Sequence, residues 1–478
     1  MDSRVRKRNQ AAVAHAQGSS LQVPGPRVRK VNDAAPRAGR YVLYWCRSNR
    51  RVDANHALAF AAGWANRLDL PLLFLESLTC DYPYASDRLH TFVLQGMPET
   101  AARLRRLGIG CVFHIPRRKG AGESAILALS LDAAVVITDE CPLPMPAVEP
   151  PCYAVDSSCI VPAACIPIRC YAAYSLRPKI HKLLPRFLHP VPPIRVNRPF
   201  VQPAPALHTA VEAEAIASLV AACEIDRSVP PAAGLRGGRA QAKRRLADFL
   251  EHRLRRYARQ KNEPAAHATS ELSPYLHAGY ISSLEVALAV REHAAEHKLM
   301  AGEFLEELIV RRELAFNFVR YAAPADSLEQ LPEWARRTLD AHRKDRRDPC
   351  YSREQLEAAA TCDDLWNAAQ RELLLRGRIH GYYRMYWGKK ILEWSRSPEE
   401  ALASALYLND RYALDGQDPN SNANILWCFG LHDRPWPERP VFGTVRSMSC
   451  AGMERKTDVA SYIREIEHLQ RTGKELTR

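Results

Sequence analysis

Four short apolar runs, YVLYWC (41–46), PLLFLES (71–77), CVFHIP (111–116) and AAVVITD (133–139), are separated by stretches with helical patterning. Those stretches are DANHALAFAAGWANRL (53–68), RLHTFVLQGMPETAARLRRL (88–107) and GESAILALS (122–130). This alternation is the strongest constraint in the chain. Runs without polar alternation read as strands buried on both faces, and strands joined through helices pair in parallel. The pattern predicts a parallel α/β domain over 40–188. No G-x-G-x-x-G follows the first run, so a dinucleotide fingerprint is missing and any cleft at the strand ends is expected to hold something other than NAD.

The pattern then changes. HPVPPIRVNRPFVQPAPA (189–206) holds six prolines and reads as a stiff linker, taken over 189–210. Beyond it strand signals nearly vanish, and helical periodicity runs through 211–224, 239–260, 283–297, 302–320, 353–376, 379–396 and 398–407. The second half, 211–478, is expected to be an all-helical domain. Residues 1–39 carry eight Lys/Arg against two Asp without apolar periodicity and read as a basic, disordered arm.

Charge narrows the partners. A net +14 and a pI near 9.2 favour a polyanion such as nucleic acid, against the plainer reading of a merely basic enzyme. Thirteen scattered cysteines argue for a reducing cytoplasm rather than a disulfide framework. No apolar run is long enough to span a membrane, and MDSRVRKRNQ lacks a signal core, so a cytoplasmic protein is expected. Cys152, Cys159, Cys165 and Cys170 lie close together but without C-x-x-C spacing. They read as buried thiols, and no metal site is expected.

Four segments carry chemistry. In TSELSPYLHAGYIS (269–282), Ser273-Pro274 resembles an N-cap followed by proline at the first helical position, where free N–H groups suit a phosphate. Taken alone, an ordinary helix cap is the plainer reading. In FLEELIVRREL (304–314), Glu307 and Arg311 are spaced for a surface ion pair, while a carboxyl facing a cavity would hold an amide or imide edge. In RIHGYYRMYWGKKILEW (378–394), Trp387 and Trp394 stand two helical turns apart. They are either core packing or stepping stones for an electron, which Trp366 on the preceding helix would extend. Arg384 beside them is an expensive buried charge unless paired, and NDRYALDGQDPN (409–420) offers Asp415 or Asp418. Together these features suit a flavin-dependent enzyme acting on DNA.

Three longer blocks then resemble a known family. WNAAQRELLLRGRIHGYYRMYWGKKILEWSRSPEEAL, YLNDRYALDGQDPN and GLHDRPWPERPVFGTVR are similar to the class II cyclobutane pyrimidine dimer photolyases, with a weaker match at RRVDANHALAFA. The resemblance covers about 40–470. It implies an N-terminal Rossmann-like antenna domain and a C-terminal helical domain holding FAD. It also implies light-driven electron transfer to a dimer flipped out of double-stranded DNA. Tyr257, Thr269, Ser270, Leu272 and Ser273 match the family's FAD phosphate and ribityl segment, and Arg384 with Asp415 its flavin salt bridge. Asn409 matches the asparagine facing flavin N5. Glu307 and Trp427 match the lesion-binding carboxyl and aromatic, and Trp387, Trp366 and Trp394 the photoreduction chain. A deazaflavin-type second chromophore and a monomer are the family-based expectations.

The chain also departs from the pattern. Phe316 stands in ELAFNF where the family has an acid, NSNANILW replaces a glycine-rich stretch, and VRSMSCAGMERKTDV a more aromatic one. The flavin and relay positions match while the lesion edge, 421–426 and 446–456, has drifted. That leaves a changed lesion preference or a cryptochrome-like light sensor as alternatives to repair.

Overall fold

The computed structural model describes residue 23 and residues 25–34, 37–201 and 205–475. Six strands form one sheet: β1 (Val28–Lys30), β2 (Tyr41–Cys46), β3 (Leu72–Ser77), β4 (Gly110–His114), β5 (Ala133–Asp139) and β6 (Cys152–Val155). Their order is β1-β6-β5-β2-β3-β4, parallel throughout except for the antiparallel edge strand β1. β2 and β5 are buried along their whole length, as strands covered on both faces must be. Alternate residues of β2 feed opposite cores. Val42, Tyr44 and Cys46 pack towards the helix His56–Leu68, and Tyr41, Leu43 and Trp45 towards the helix Ser124–Ser130. β2 has β3 on one side and β5 on the other, so the chain reverses its direction of winding there and opens a crevice at the carboxyl ends.

Two boundaries differ from expectation. The basic arm was expected to reach residue 39, yet Val28–Lys30 pair with Val155, Ala154 and Tyr153. A three-residue edge strand with two cations carries no strand signal. Residues 1–22, 24, 35 and 36 of the expected arm lie outside the described residues. Residues 173–187, expected within the α/β domain, form the helix Ala173–Phe187, which buries Ala173, Leu176, Ile180 and Phe187 among helical-half side chains such as Leu308 and Ile309. The chain then returns, and Val211, Ile216, Val220 and Cys223 pack into the sheet's own core. By packing, the exchange of cores falls near residue 159 on the way out and near 224 on the way back.

All six strands precede residue 156 and the rest of the described chain is helical. Two predicted helices are broken. The 88–107 stretch divides into Asp87–Leu94 and Met97–Arg106. The 353–376 stretch divides into Arg353–Glu357 and Asp364–Arg376, with Ala359 at φ 53° and Asp363 capping the second by accepting from Trp366 N. Two other helices keep their length but contain a turn with i→i+5 bonding, at Phe249–Arg253 and Glu306–Arg311. Among the described residues no helix is long and apolar enough to cross a membrane.

Candidate active site

The helix Gly381–Trp394 organises the helical half. His380 caps it, its Nδ1 accepting from Tyr382 N at 3.3 Å. Burial holds that imidazole down at about 4, so it is neutral and free to accept. Gly388 lets the helix Pro419–Cys428 approach closely, since a Cβ there would stand 2.7 Å from Cys428 Sγ. Of the two aspartates available, Arg384 pairs with Asp415, Nη2 to Oδ1 at 3.0 Å, both side chains at least 85 % buried. Asn409 is 2 % exposed on the helix Pro398–Tyr412 and donates its amide to Asp410 Oδ1 at 2.9 Å.

The three tryptophans form one continuous path. Trp366 and Trp387 stack at 6.4 Å between centroids and 4° between planes, and Trp366 meets Trp394 edge-on at 5.7 Å. Trp366 is therefore the middle member, between Trp387 and Trp394. Its indole donates to Trp387 O at 3.0 Å and the Trp387 indole to Gln370 Oε1 at 2.9 Å, so both polar handles are satisfied. All three are buried. Trp394 ends against the half-buried Tyr351 at 5.3 Å and the Lys390 ammonium at 5.2 Å.

Residues 269–273 are tied to this assembly by ion pairs that sequence reasoning missed. Glu271 reaches Arg378 at 2.7 Å and Arg245 at 2.5 Å, and His277 Nδ1 lies 3.0 Å from Asp418 Oδ2. Burial alone would raise Glu271, but the guanidiniums of Arg378, Arg245 and Arg253 outweigh it and hold the carboxyl at about 2. Thr269 and Ser270 are half-buried, and Arg253 donates to the Thr269 carbonyl at 3.2 Å. Leu272 is buried and Tyr257 packs edge-on against Phe249 and Phe304. Ser273 is not the N-cap. It is the exposed first residue of the helix Ser273–His277, and the cap is Leu272, which has no side-chain acceptor to offer the first turn. The donor set fits a flavin dinucleotide. A buried cation–anion pair and a buried amide are the groups that suit the donor–acceptor edge of an isoalloxazine, and a hydroxyl-rich segment running into an uncapped helix suits its pyrophosphate.

Glu307 lies on the i→i+5 turn, and that changes its partners. Arg311 points back to Glu306, at 3.9 Å, rather than to Glu307, because the wide turn offsets the usual i,i+4 neighbour by one residue. Glu307 instead accepts from Lys261 Nζ at 3.1 Å with its side chain 45 % exposed. The freed Arg311 guanidinium lies 5.7 Å from the ring of the half-buried Trp427. Phe316 also takes a guanidinium, that of Arg312 at 4.5 Å.

A separate cavity of about 410 Å³ opens at the reversal point of the sheet. Trp45 to Arg51, Glu140 to Leu143, Leu276 to Ala278, Phe316 and Gly416 to Pro419 are among its lining residues. Asp139, ending β5, shapes one wall by accepting from the backbone N–H groups of Arg47, Ser48 and Asn49 at 2.9–3.0 Å. Gly279 at φ +73° closes the junction with the helical half, because a Cβ there would fall 1.9 Å from Ser48 O. Its size and mixed lining fit a second pigment. The four neighbouring cysteines are dispersed: Cys152 lies in the sheet's core and Cys170 in the helical one.

A flavin-type cradle joined to a buried indole path, in a helical half behind a parallel α/β half, defines a photoactive flavoprotein architecture. No family model matches the chain. It is 40% identical over 456 residues to the deoxyribodipyrimidine photo-lyase of Methanothermobacter thermautotrophicus, covering 93% of this chain and 98% of that one. With the deoxyribodipyrimidine photo-lyase of Potorous tridactylus it shares 37% identity over 89% of this chain and 81% of the relative. The chain belongs to the deoxyribodipyrimidine photo-lyase family. Its fold is shared by a class III photolyase from Agrobacterium tumefaciens (TM-score 0.64, 17% identity, 94% of each chain). It is shared equally by a Synechocystis cryptochrome (TM-score 0.65, 15% identity, 92% of this chain and 91% of that one).

Proposed function

We propose that this protein repairs cyclobutane pyrimidine dimers in double-stranded DNA, using blue light and reduced FAD, as a cytoplasmic monomer. The observation that carries the reading is the continuous path from Trp387, on the helix that also bears Arg384, through Trp366 on the preceding helix Asp364–Arg376, and back to Trp394. Packing alone does not require three indoles in sequence beside a paired, buried charge. A flavin held by these residues would supply reversible, light-driven one-electron donation to the lesion.

The chain's own residues do the rest. Arg384 and Asp415 hold the flavin's polar edge without adding net charge, and Asn409 presents an amide to it. Tyr257, Thr269, Ser270, Leu272 and Ser273 receive the phosphate and ribityl portion. Trp387, Trp366 and Trp394 deliver an electron from the surface, Trp394 outermost. Glu307 binds the pyrimidine edge once Lys261 yields it, and Trp427 stacks on the flipped bases. The +14 charge supplies the salt-dependent phosphate contacts that repair of duplex DNA needs. The packing revises the domain reading: the antenna unit runs from 40 to about 159 and is completed by the returning segment up to about 224, and the catalytic unit takes in the helix Ala173–Phe187 and the chain beyond 224. The cavity at the sheet's reversal point takes a second chromophore of deazaflavin type.

The test is a blue-light assay on an oligonucleotide carrying one thymine dimer, using photoreduced protein, a dark sample and Glu307→Gln. Light-dependent restoration that is slower in Glu307→Gln is the expected result. Bound, reducible flavin without restoration would overturn the repair reading and favour light sensing or another photoproduct.

A further inference from the structure

Outside the repair machinery, one cluster of metal-ligating side chains is built as a site. The sulfurs of Cys80 and Cys223 and a ring nitrogen of His90 lie within 4.8 Å of one another, and all three residues are buried. They come from separate parts of the chain. Cys80 follows β3, His90 sits on the helix Asp87–Leu94, and Cys223 lies just past the helix Ile216–Ala221 on the returning segment. His90 is 0 % exposed. Its Nδ1 is 3.0 Å from the Tyr82 hydroxyl and its ring stacks on Tyr82 at 5.6 Å and 12°. Its Nε2, also buried, has no hydrogen-bond partner. A buried imidazole nitrogen without a partner, beside two thiols, is an incomplete arrangement by the usual rule that buried polar atoms are satisfied.

We infer that Cys80, Cys223 and His90 bind a thiophilic d10 cation, Zn²⁺ being the ordinary one. Tyr82 sets the tautomer: with Nδ1–H donated to the phenol oxygen, Nε2 presents its lone pair to the ion. Without the ion both thiols donate to backbone carbonyls, Cys80 to Pro116 O at 3.4 Å and Cys223 to Leu219 O at 3.2 Å, so each carries its proton until a metal displaces it. Binding is then an acid–base exchange without redox change. Each thiol releases its proton to solvent, two metal–sulfur bonds and one metal–nitrogen bond form, and a solvent molecule takes the fourth position. Two thiolates cancel the charge of the dication, so the loaded site is neutral within an apolar core. The ion would fasten the returning segment to the sheet. Because Tyr82 and Leu89 also line the cavity at the strand ends, it would fix the back wall of that pocket.

The test uses full-length protein, reduced with a phosphine, loaded with Zn²⁺, and passed over a chelating resin before zinc and protein are measured. About one zinc per chain should be retained. Cys80→Ser/Cys223→Ser should retain under about a tenth of that, and His90→Asn should weaken retention while keeping both thiols. Cys350→Ser/Cys362→Ser, which removes two exposed thiols, should match the parent. Calorimetry in two buffers of different protonation heat should report about two protons released per zinc. Unchanged circular dichroism and flavin content would show that the variants are folded. Equal retention by Cys80→Ser/Cys223→Ser overturns the proposal. So does absence of zinc from a parent protein whose thiols are fully reduced.

Discussion

Asp415→Asn removes one charge from the Arg384 pair while keeping the side chain's shape. The guanidinium cannot respond by losing its proton, so it stays charged at 15 % side-chain exposure with no carboxylate 3.0 Å away. At that distance, and with an effective dielectric near 20, the lost attraction is about 5 kcal/mol. Breaking a fully buried pair costs about 3–5 kcal/mol in practice. Water still reaches part of both groups here, which lowers the expected loss to about 2–3 kcal/mol. Urea unfolding of the apoprotein, followed by circular dichroism, should show a lower midpoint at unchanged slope. The double variant Arg384→Met/Asp415→Asn has no orphan charge and should recover to within about 1 kcal/mol of the parent. The double variant should nonetheless fail to retain flavin, which separates holding the fold from holding the cofactor. If Asp415→Asn unfolds at the parent's midpoint, or the double variant is less stable than the single one, the pair is not a desolvated unit and the argument fails.

Three further outcomes follow from the same geometry. Burial pushes the Glu313 carboxyl up to about 8 despite its bonds from Ile160 N and Val161 N. A raised folded-state value favours folding fully below 4.5 and loses that contribution as pH rises through about 8. The parent should therefore lose stability across that window, and Glu313→Gln, with Oε1 still available to both N–H groups, should show a flatter profile. Trp366→Phe removes the middle indole and should abolish photoreduction of bound flavin, while chemically reduced enzyme still repairs. Normal photoreduction in that variant would refute the path. Gly279→Ala places a Cβ against Ser48 O at positive φ and should cost about 1–3 kcal/mol in thermal or urea unfolding, with any pigment in the adjacent cavity released first.

The parts legible in the sequence were those with a local physical signature. The runs at 41–46 and 133–139 coincide with β2 and β5 because both faces of those strands are covered and nothing polar interrupts them. β1 and β6 were invisible because strands of three and four residues are too short to carry a periodicity, and β1 is also an exposed edge. The i→i+5 turn at Glu306–Arg311 was equally hidden, and through it the exchange of Arg311 from Glu307 to Glu306. Glu271 with its three arginines, and Cys80 with His90 and Cys223, were out of reach for another reason: their members meet only when distant segments pack, so no spacing rule links them.

The choice between Asp415 and Asp418 for Arg384 lies between these extremes. Asp418 precedes Pro419, and aspartate before proline is a strong helix-start signal. In the structure Asp418 does cap the helix Pro419–Cys428, accepting from Asn420 N at 2.8 Å, and its other oxygen lies 3.0 Å from His277. Those bonds outweigh the burial that would raise it and hold the carboxyl well below the ordinary aspartate range. Both Asp418 oxygens are thus engaged elsewhere, and it is Asp415 that meets Arg384. Capping rules applied before the ion pair was assigned would have decided the matter from residues 415–419 alone.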